Sequence, residues 1–279
     1  MTIQAIYLYP WRAAAGLGLA AALLMSGPTA VRAGSFEDGH AAYQRTDFLS
    51  ALKIWKPLAE NGDERAQYNL GIMYDEGRGV SADKAVAAEW WLKAAKQDMP
   101  EALHNLASSY LFGAGFAADP SHDEAVAWMA RAAELGLPRS QYTLGKMYLA
   151  AHGVGKDEAA GRRWIEKAAR QGLDKAQYNM GKLSRDGVAG AVDKKAAAQW
   201  FLKAARQGYA KAQNHIAKRY AKGEGIDKNV PEALFWYTLA AGQGHTAAES
   251  KRQGLLNKMS PADVDAVIKR IEAWKPEKP

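Results

Sequence analysis

The chain of 279 residues contains no cysteine. That excludes disulfides, thiolate metal sites, a cysteine nucleophile and a lipid-modified N-terminal cysteine. No H-E-x-x-H or other ligand spacing links the six histidines, at 40, 104, 122, 152, 215 and 245, so no metal site is expected. No G-x-x-x-x-G-K-[ST] run and no strand-to-helix G-x-G-x-x-G exists, which removes the common phosphate cradles. Acidic residues are in short supply. Thirty Asp and Glu face 37 Lys and Arg, giving a net charge of +7 and a pI near 9.3. That balance suits an anionic partner without naming one. Long apolar runs are also missing. The stretch from Ala13 to Met25 is shorter than the ~20 residues a membrane-spanning helix needs.

What that stretch does fit is an export signal. Arg12 precedes it, small residues follow, and Val31-Arg32-Ala33 forms a cleavage site before Gly34. Residues 1–33 are therefore expected to be removed on export to the periplasm or beyond, leaving no membrane span. Loss of Arg12 and Arg32, two cations and no acid, lowers the net charge from +7 to +5. Export also argues against a nucleic-acid partner.

The remainder repeats itself. Leu70, Leu106, Leu144, Met180 and Ile216 are equivalent apolar residues, spaced 36, 38, 36 and 36 apart. Each has a small residue four positions before it, from Ala66 to Ala212, and another one position after it, from Gly71 to Ala217. Four positions after stands Tyr74, Tyr110, Tyr148, Ser184 or Tyr220. Further on comes Trp90, Trp128, Trp164, Trp200 or Trp236, then an Ala-Ala pair. Offsets of four share one helical face, so each unit reads as helix, glycine turn, helix. Gly77 and Gly79, or Gly223 and Gly225, suit a left-handed backbone. Asp83, Asp157 and Asp193 are placed as N-caps of the second helices, and Pro231 as a first helical residue. The Trp row is expected in the core, between neighbouring helices.

With Ala66, Leu70, Gly71, Tyr74, Gly77, Gly79, Val80, Asp83, Ala87, Trp90, Ala94 and Ala95 in one unit, this pattern resembles the Sel-one-like repeat, a relative of the tetratricopeptide repeat. The resemblance spans residues 63–245. It departs at Ser184, at the Gly187–Gly190 turn and at Phe116. It implies an all-α, right-handed α-solenoid. Residues 34–62 read as a degenerate tetratricopeptide-like first unit, with Ile54 and Trp55 near the usual Trp position. Residues 246–279 read as C-terminal capping helices. Arg252 there replaces the apolar anchor. The helix 259–274 has Ser260 as N-cap and an apolar face of Val264, Val267, Ile268, Ile271 and Trp274. Stacked repeats need a sealed end.

Ser81-Ala82-Asp83-Lys84 matches the S-x-x-K of penicillin-recognising enzymes, but K-T-G and S-D-N are absent, so Ser81 is read as a helix cap. No catalytic residue and no cofactor is expected, and a β-lactam hydrolase is the least favoured alternative. One pattern exceeds what folding needs. On the first helices, offsets −5, −2, +2 and +5 form a stripe. It reads Arg139, Tyr142, Lys146; then Lys175, Tyr178, Lys182, Arg185; then Lys211, Asn214, Lys218, with Lys222 beside it. The resemblance implies that first helices line the inner groove. These residues are the candidate ligand-binding set. The reading is a non-catalytic interaction scaffold of the cell envelope that takes an acidic protein segment. An anionic polysaccharide or peptidoglycan is the second candidate.

Protein isolated from its native host is expected to start at Gly34, as read by intact mass. A species starting at Met1 would contradict both the signal and the envelope reading.

Overall fold

The computed structural model describes residues 34–113, 115 and 121–277. The expected export signal and Phe116 lie outside the described residues. Among those described, every regular element is an α-helix. They run α1 (Phe36–Gln44), α2 (Phe48–Glu60), α3 (Glu64–Glu76), α4 (Lys84–Ala95), α5 (Pro100–Phe112), α6 (His122–Glu134) and α7 (Pro138–Ala150). Then follow α8 (Glu158–Arg170), α9 (Asp174–Asp186), α10 (Lys194–Arg206), α11 (Ala210–Lys222), α12 (Val230–Gly242), α13 (Thr246–Leu256) and α14 (Pro261–Ala273). From α1 to α13 each helix packs on the next in sequence, and α14 packs on α12. This is the stacking of an α-solenoid.

The five anchors are sealed from water, none more than 1% exposed. Burying a side chain of that size is worth about 1.5–3 kcal/mol. Asp83, Asp157 and Asp193 each accept backbone N–H groups at the start of α4, α8 and α10, as expected of N-caps. Ser81 does not cap; it sits in the turn, two residues before Asp83. Pro231 falls one residue inside α12, whose N-cap is Asn229. Each turn is closed by one further bond, from the N-cap N–H to the carbonyl of the residue at offset +4: Asp83 to Tyr74, Asp193 to Ser184, Asn229 to Tyr220. That bond uses only the carbonyl, so Ser184 makes it as the Tyr residues do. Gly225 has φ +75°, and a Cβ on it would strike the Lys194 backbone of the preceding unit. The turn glycines thus serve inter-repeat approach as well as backbone shape.

The Trp row does not form the centre of the core. Trp128, Trp164 and Trp200 are only half-buried, although Trp90 and Trp236 are nearly covered. The bulky residue in the centre is the next one along: Trp91, Met129, Ile165, Phe201 or Tyr237, all buried. It presses on the small residue after the anchor. A Cβ on Gly181 would come 2.8 Å from the Phe201 ring, and Gly71 and Gly145 face Trp91 and Ile165 in the same way. The N-terminal unit repeats the device, with Gly39 against the fully buried Trp55. The indole of Trp55 donates to Phe36 O at 3.1 Å.

A polar clasp joins the units. Gln177 donates from Nε2 to Ala169 O at 3.2 Å and accepts from Gln207 Nε2 at 2.8 Å, while Gln207 also donates to Gly172 O at 2.7 Å. Gln67 with Gln97 and Gln141 with Gln171 repeat all three bonds. Gln213 and Gln243 repeat two of them. In the second unit both positions are Leu, Leu103 and Leu135. The Gly that follows Gln171, Gln207 and Gln243 is, after Gln97 of the first unit, Asp98, held at φ +61° and paired with Arg131.

At the C-terminus, Ser260 caps α14 as expected, and Val267 is buried against the last units with Val264, Ile271 and Trp274 around it. Ile268 departs from the expected apolar face and is 45% exposed.

Gln177→Leu alone is expected to destabilise by about 1–3 kcal/mol, because it takes the partner from a buried polar group. Adding Gln207→Leu should restore part of that loss, since the second unit tolerates the Leu pair. A denaturant double-mutant cycle checks this. Strict additivity would mean the two glutamines are not coupled.

Candidate binding surface on the first helices

The residue at offset −2 reaches across to the next first helix in three successive units. His104 Nδ1 lies 2.8 Å from Ser140 Oγ, linking α5 to α7. Asn179 Nδ2 donates to the Tyr142 hydroxyl at 3.0 Å, linking α7 to α9. Tyr178 Oη lies 3.4 Å from His215 Nε2, linking α9 to α11. The first helices therefore lie side by side, and their exposed edges form one surface.

The expected stripe divides into two kinds of residue. Tyr142 and Tyr178 are packing residues between units. Burial pushes the Tyr142 hydroxyl up to about 12. Tyr178 meets the rings of Phe201, Tyr209 and His215. Asn214 is half-buried beside His215. The cations are the second kind. Lys146, Lys175, Lys182, Lys211 and Lys218 make no ion pair among the described residues. Lys146 Nζ lies 5.8 Å from the centre of the Tyr142 ring. Arg185 is engaged, its Nε and Nη2 both 2.6 Å from the Asp186 carboxylate. Lys222 faces Glu224 at 3.6 Å. Arg139 is half-buried, and its Nε and Nη2 are buried without a hydrogen-bond partner.

Two residues absent from the expected stripe stand at its centre, His215 and Arg219. At the offset of His215 the other units carry Asn69, Asn105, Thr143 and Asn179. At the offset of Arg219 they carry Met73, Ser109, Met147 and Leu183. The signal was present in the sequence as a double departure within one unit. The His215 ring stacks on Phe201 at 4.8 Å and 13°. The Arg219 guanidinium carbon lies 4.5 Å from the centre of the same ring. Burial first, and then Arg185, Arg219, Lys218 and Lys182, push the His215 imidazole down to about 4. His104 goes down to about 3 through burial and the nearby Arg139.

The opposite surface, on the second helices, carries cations of another kind. Lys93, Lys167 and Lys203 lie 3.9, 4.0 and 4.7 Å over Trp90, Trp164 and Trp200. A cation over an indole face is held there by the ring quadrupole. Among the described residues, no three or more His, Asp or Glu gather as a metal site would require, and no helix is long and apolar enough to cross a membrane.

Stacked helix pairs joined by glycine turns, with a surface made of one helix from each pair, define a helical-repeat interaction solenoid. Within that class the chain belongs to the Sel1 repeat family: five Sel1 repeats match in tandem, at residues 64–99, 100–137, 138–173, 174–209 and 210–245. Among solved structures it is similar to c5321, a protective antigen of uropathogenic Escherichia coli with this repeat fold. That match has 29% identity and a TM-score of 0.76, over 85% of this chain and 52% of the other. A Sel1 repeat protein from Oxalobacter formigenes matches at 27% identity and TM-score 0.71, over 88% of this chain and 98% of the other. Two curated relatives share shorter stretches. Chitin synthase regulatory factor 3 of Schizosaccharomyces pombe is 41% identical over 54 residues, 19% of this chain and 6% of its own length. The ERAD-associated E3 ubiquitin-protein ligase component HRD3A of Arabidopsis thaliana is 31% identical over 90 residues, 32% of this chain and 13% of its own length. The chain thus matches only a small part of each curated relative. Sel1 repeat proteins are in general protein-interaction scaffolds, and the fold is typically non-catalytic.

Both depressed histidines oppose protonation in the folded state. Their folded values lie below the ~6.5 of an unfolded chain. The unfolded state therefore binds more protons as pH falls from about 6.5 toward 4, and stability drops through that window. His215→Asn, the residue of three other units, is expected to shrink the loss of denaturation midpoint between pH 7 and pH 5. An unchanged loss would show that His215 is not held neutral by the fold.

Proposed function

We propose that this chain is an exported scaffold of the bacterial cell envelope that holds an acidic protein segment along the first helices of repeats three to five. The observation that carries it is the unpaired row of Lys146, Lys182 and Lys218. They share one offset in consecutive stacked units, with Lys175 and Lys211 beside them, and none of these five makes an ion pair among the described residues. Such a row does little for stability, since exposed charge pairs contribute only about 0–1 kcal/mol each. It suits an extended anion, whose hold on several lysines at once weakens as salt rises. Tyr142 and Tyr178, fixed by their neighbours, supply rigid contact area. The envelope location rests on the expected signal of residues 1–33. The scaffold role is supported by family membership and by the similarity to HRD3A, a named component of a larger assembly.

Hexaglutamate binding measured by calorimetry is expected to fall with salt and to be lost in the triple variant Lys146→Glu, Lys182→Glu, Lys218→Glu. The comparison triple is Lys53→Glu, Lys96→Glu, Lys194→Glu, three exposed residues away from this face. Lys93, Lys167 and Lys203 are unsuitable for that comparison, because each is stacked on a Trp. Equal loss in both triples would reduce the effect to net charge. Binding of an oligogalacturonate but not the peptide would replace the protein segment with a polysaccharide.

A further inference from the structure

The fifth repeat contains an arginine where the scaffold asks for an apolar side chain. Arg219 is 2% exposed. It occupies the offset of Met73, Met147 and Leu183, and it forms no ion pair. Its Nε is buried without a partner, and Nη1 has only the carbonyl of His215, at 3.4 Å. Burial weakens its hold on its own proton. An unpaired buried cation costs stability, and apolar replacements of buried charges are often neutral or stabilising. Nothing in the stacking explains its retention, because the other units pack Met, Leu or the small Ser109 there.

Its surroundings supply a reason. From α9, Lys182 and Arg185 converge on the same spot, with Tyr178 against the imidazole of His215. From α10, Phe201 forms the floor under both His215 and Arg219. Tyr209, at the entry to α11, closes one side against Tyr178. From α11 itself come Lys218 and Arg219. The acids nearby are already taken: Asp186 by Arg185, and Glu224 by Lys222. Four cations therefore face His215, and the two acids near them, Asp186 and Glu224, are already paired.

We infer that Lys182, Arg185, His215, Lys218 and Arg219 form the anchor subsite of the groove, taking one carboxylate of the acidic segment. This rests on the groove reading and adds to it a single point of strongest grip. The anion supplies the missing partner of Arg219. It also cancels the repulsion that keeps His215 unprotonated, so binding draws a proton onto the imidazole. Affinity consequently rises as pH falls below neutrality.

The test uses the full chain with Arg219→Met, which installs the residue of repeats one and three, and Arg219→Lys, which keeps a cation. Three quantities are read: melting temperature, hexaglutamate affinity by calorimetry, and the His215 titration midpoint from its ring C–H resonances. Arg219→Met is expected to melt at or above wild type and to bind about tenfold or more weakly. Arg219→Lys should retain most of the binding. Hexaglutamate should raise the His215 midpoint in wild type and leave it unmoved in Arg219→Met. A lower melting temperature in Arg219→Met would make the arginine structural and overturn the inference. So would wild-type affinity in that variant, or a His215 midpoint indifferent to the peptide. The two readings fail separately. Loss of binding in the lysine triple with full binding in Arg219→Met keeps the groove and removes the anchor. Loss in Arg219→Met, with no effect of Lys146→Glu, keeps the anchor and removes the extended groove.

Discussion

Everything in this solenoid depends on how closely one helix can approach the next. A small residue after each anchor meets a bulky one on the partner helix, as Gly181 meets Phe201 and Gly39 meets Trp55. Side-chain volume is moved from one helix to the other, so the pair closes without a void. The buried Ala-Ala pairs then admit the following unit. Once the backbones are this near, carbonyls near the end of each second helix come within reach of the glutamine that follows. The clasp of Gln177 and Gln207 is a consequence of that approach. It also gives the approach a register, because amide bonds are directional where apolar contact is not.

Much of this was legible in the sequence. The five anchors, the turn glycines and the aspartate caps stand at fixed offsets, and each has a local cause that a single unit displays. The centre of the core was harder to see. Trp is the most conspicuous residue of every unit, yet the deeper position belongs to its neighbour, which varies from Trp91 to Met129 to Ile165. Conspicuous identity marks a position with a fixed environment. At Trp164 and Trp200 that environment is a half-exposed indole with a lysine above it. A deep position asks only for volume and tolerates variation in type. The glutamine pairs were missed for another reason. Thirty residues separate Gln177 from Gln207, and polar residues in a surface-like pattern give no hint that they face inward.

Charge is placed differently on the two surfaces. Lys93, Lys167 and Lys203 of the second helices rest on indole rings, so those cations are already partnered inside the chain. Lys175, Lys182, Lys211 and Lys218 of the first helices have no such partner among the described residues. A uniform excess of positive charge would have engaged both surfaces alike. The asymmetry separates charge that completes the fold from charge left free to act on something else.

The same logic reaches the interior. A repeat protein carries its own controls, because each offset is sampled several times within one chain. Where most units share one residue type and another departs, the departure is not demanded by stacking. His215 and Arg219 depart together, touch the same Phe201 ring, and lie four residues apart on one helix face. The cost of burying Arg219 falls on the stability of the last complete repeat. Beyond the adjoining repeat four, whose Phe201 it touches, the other units bear none of it, since each repeat contacts only those beside it. A strained position can therefore persist in one unit while the rest of the stack stays optimised for packing. The end of the stack is a favourable place for it, because α14 packs on α12 of the same repeat and adds apolar burial where the arginine removes it.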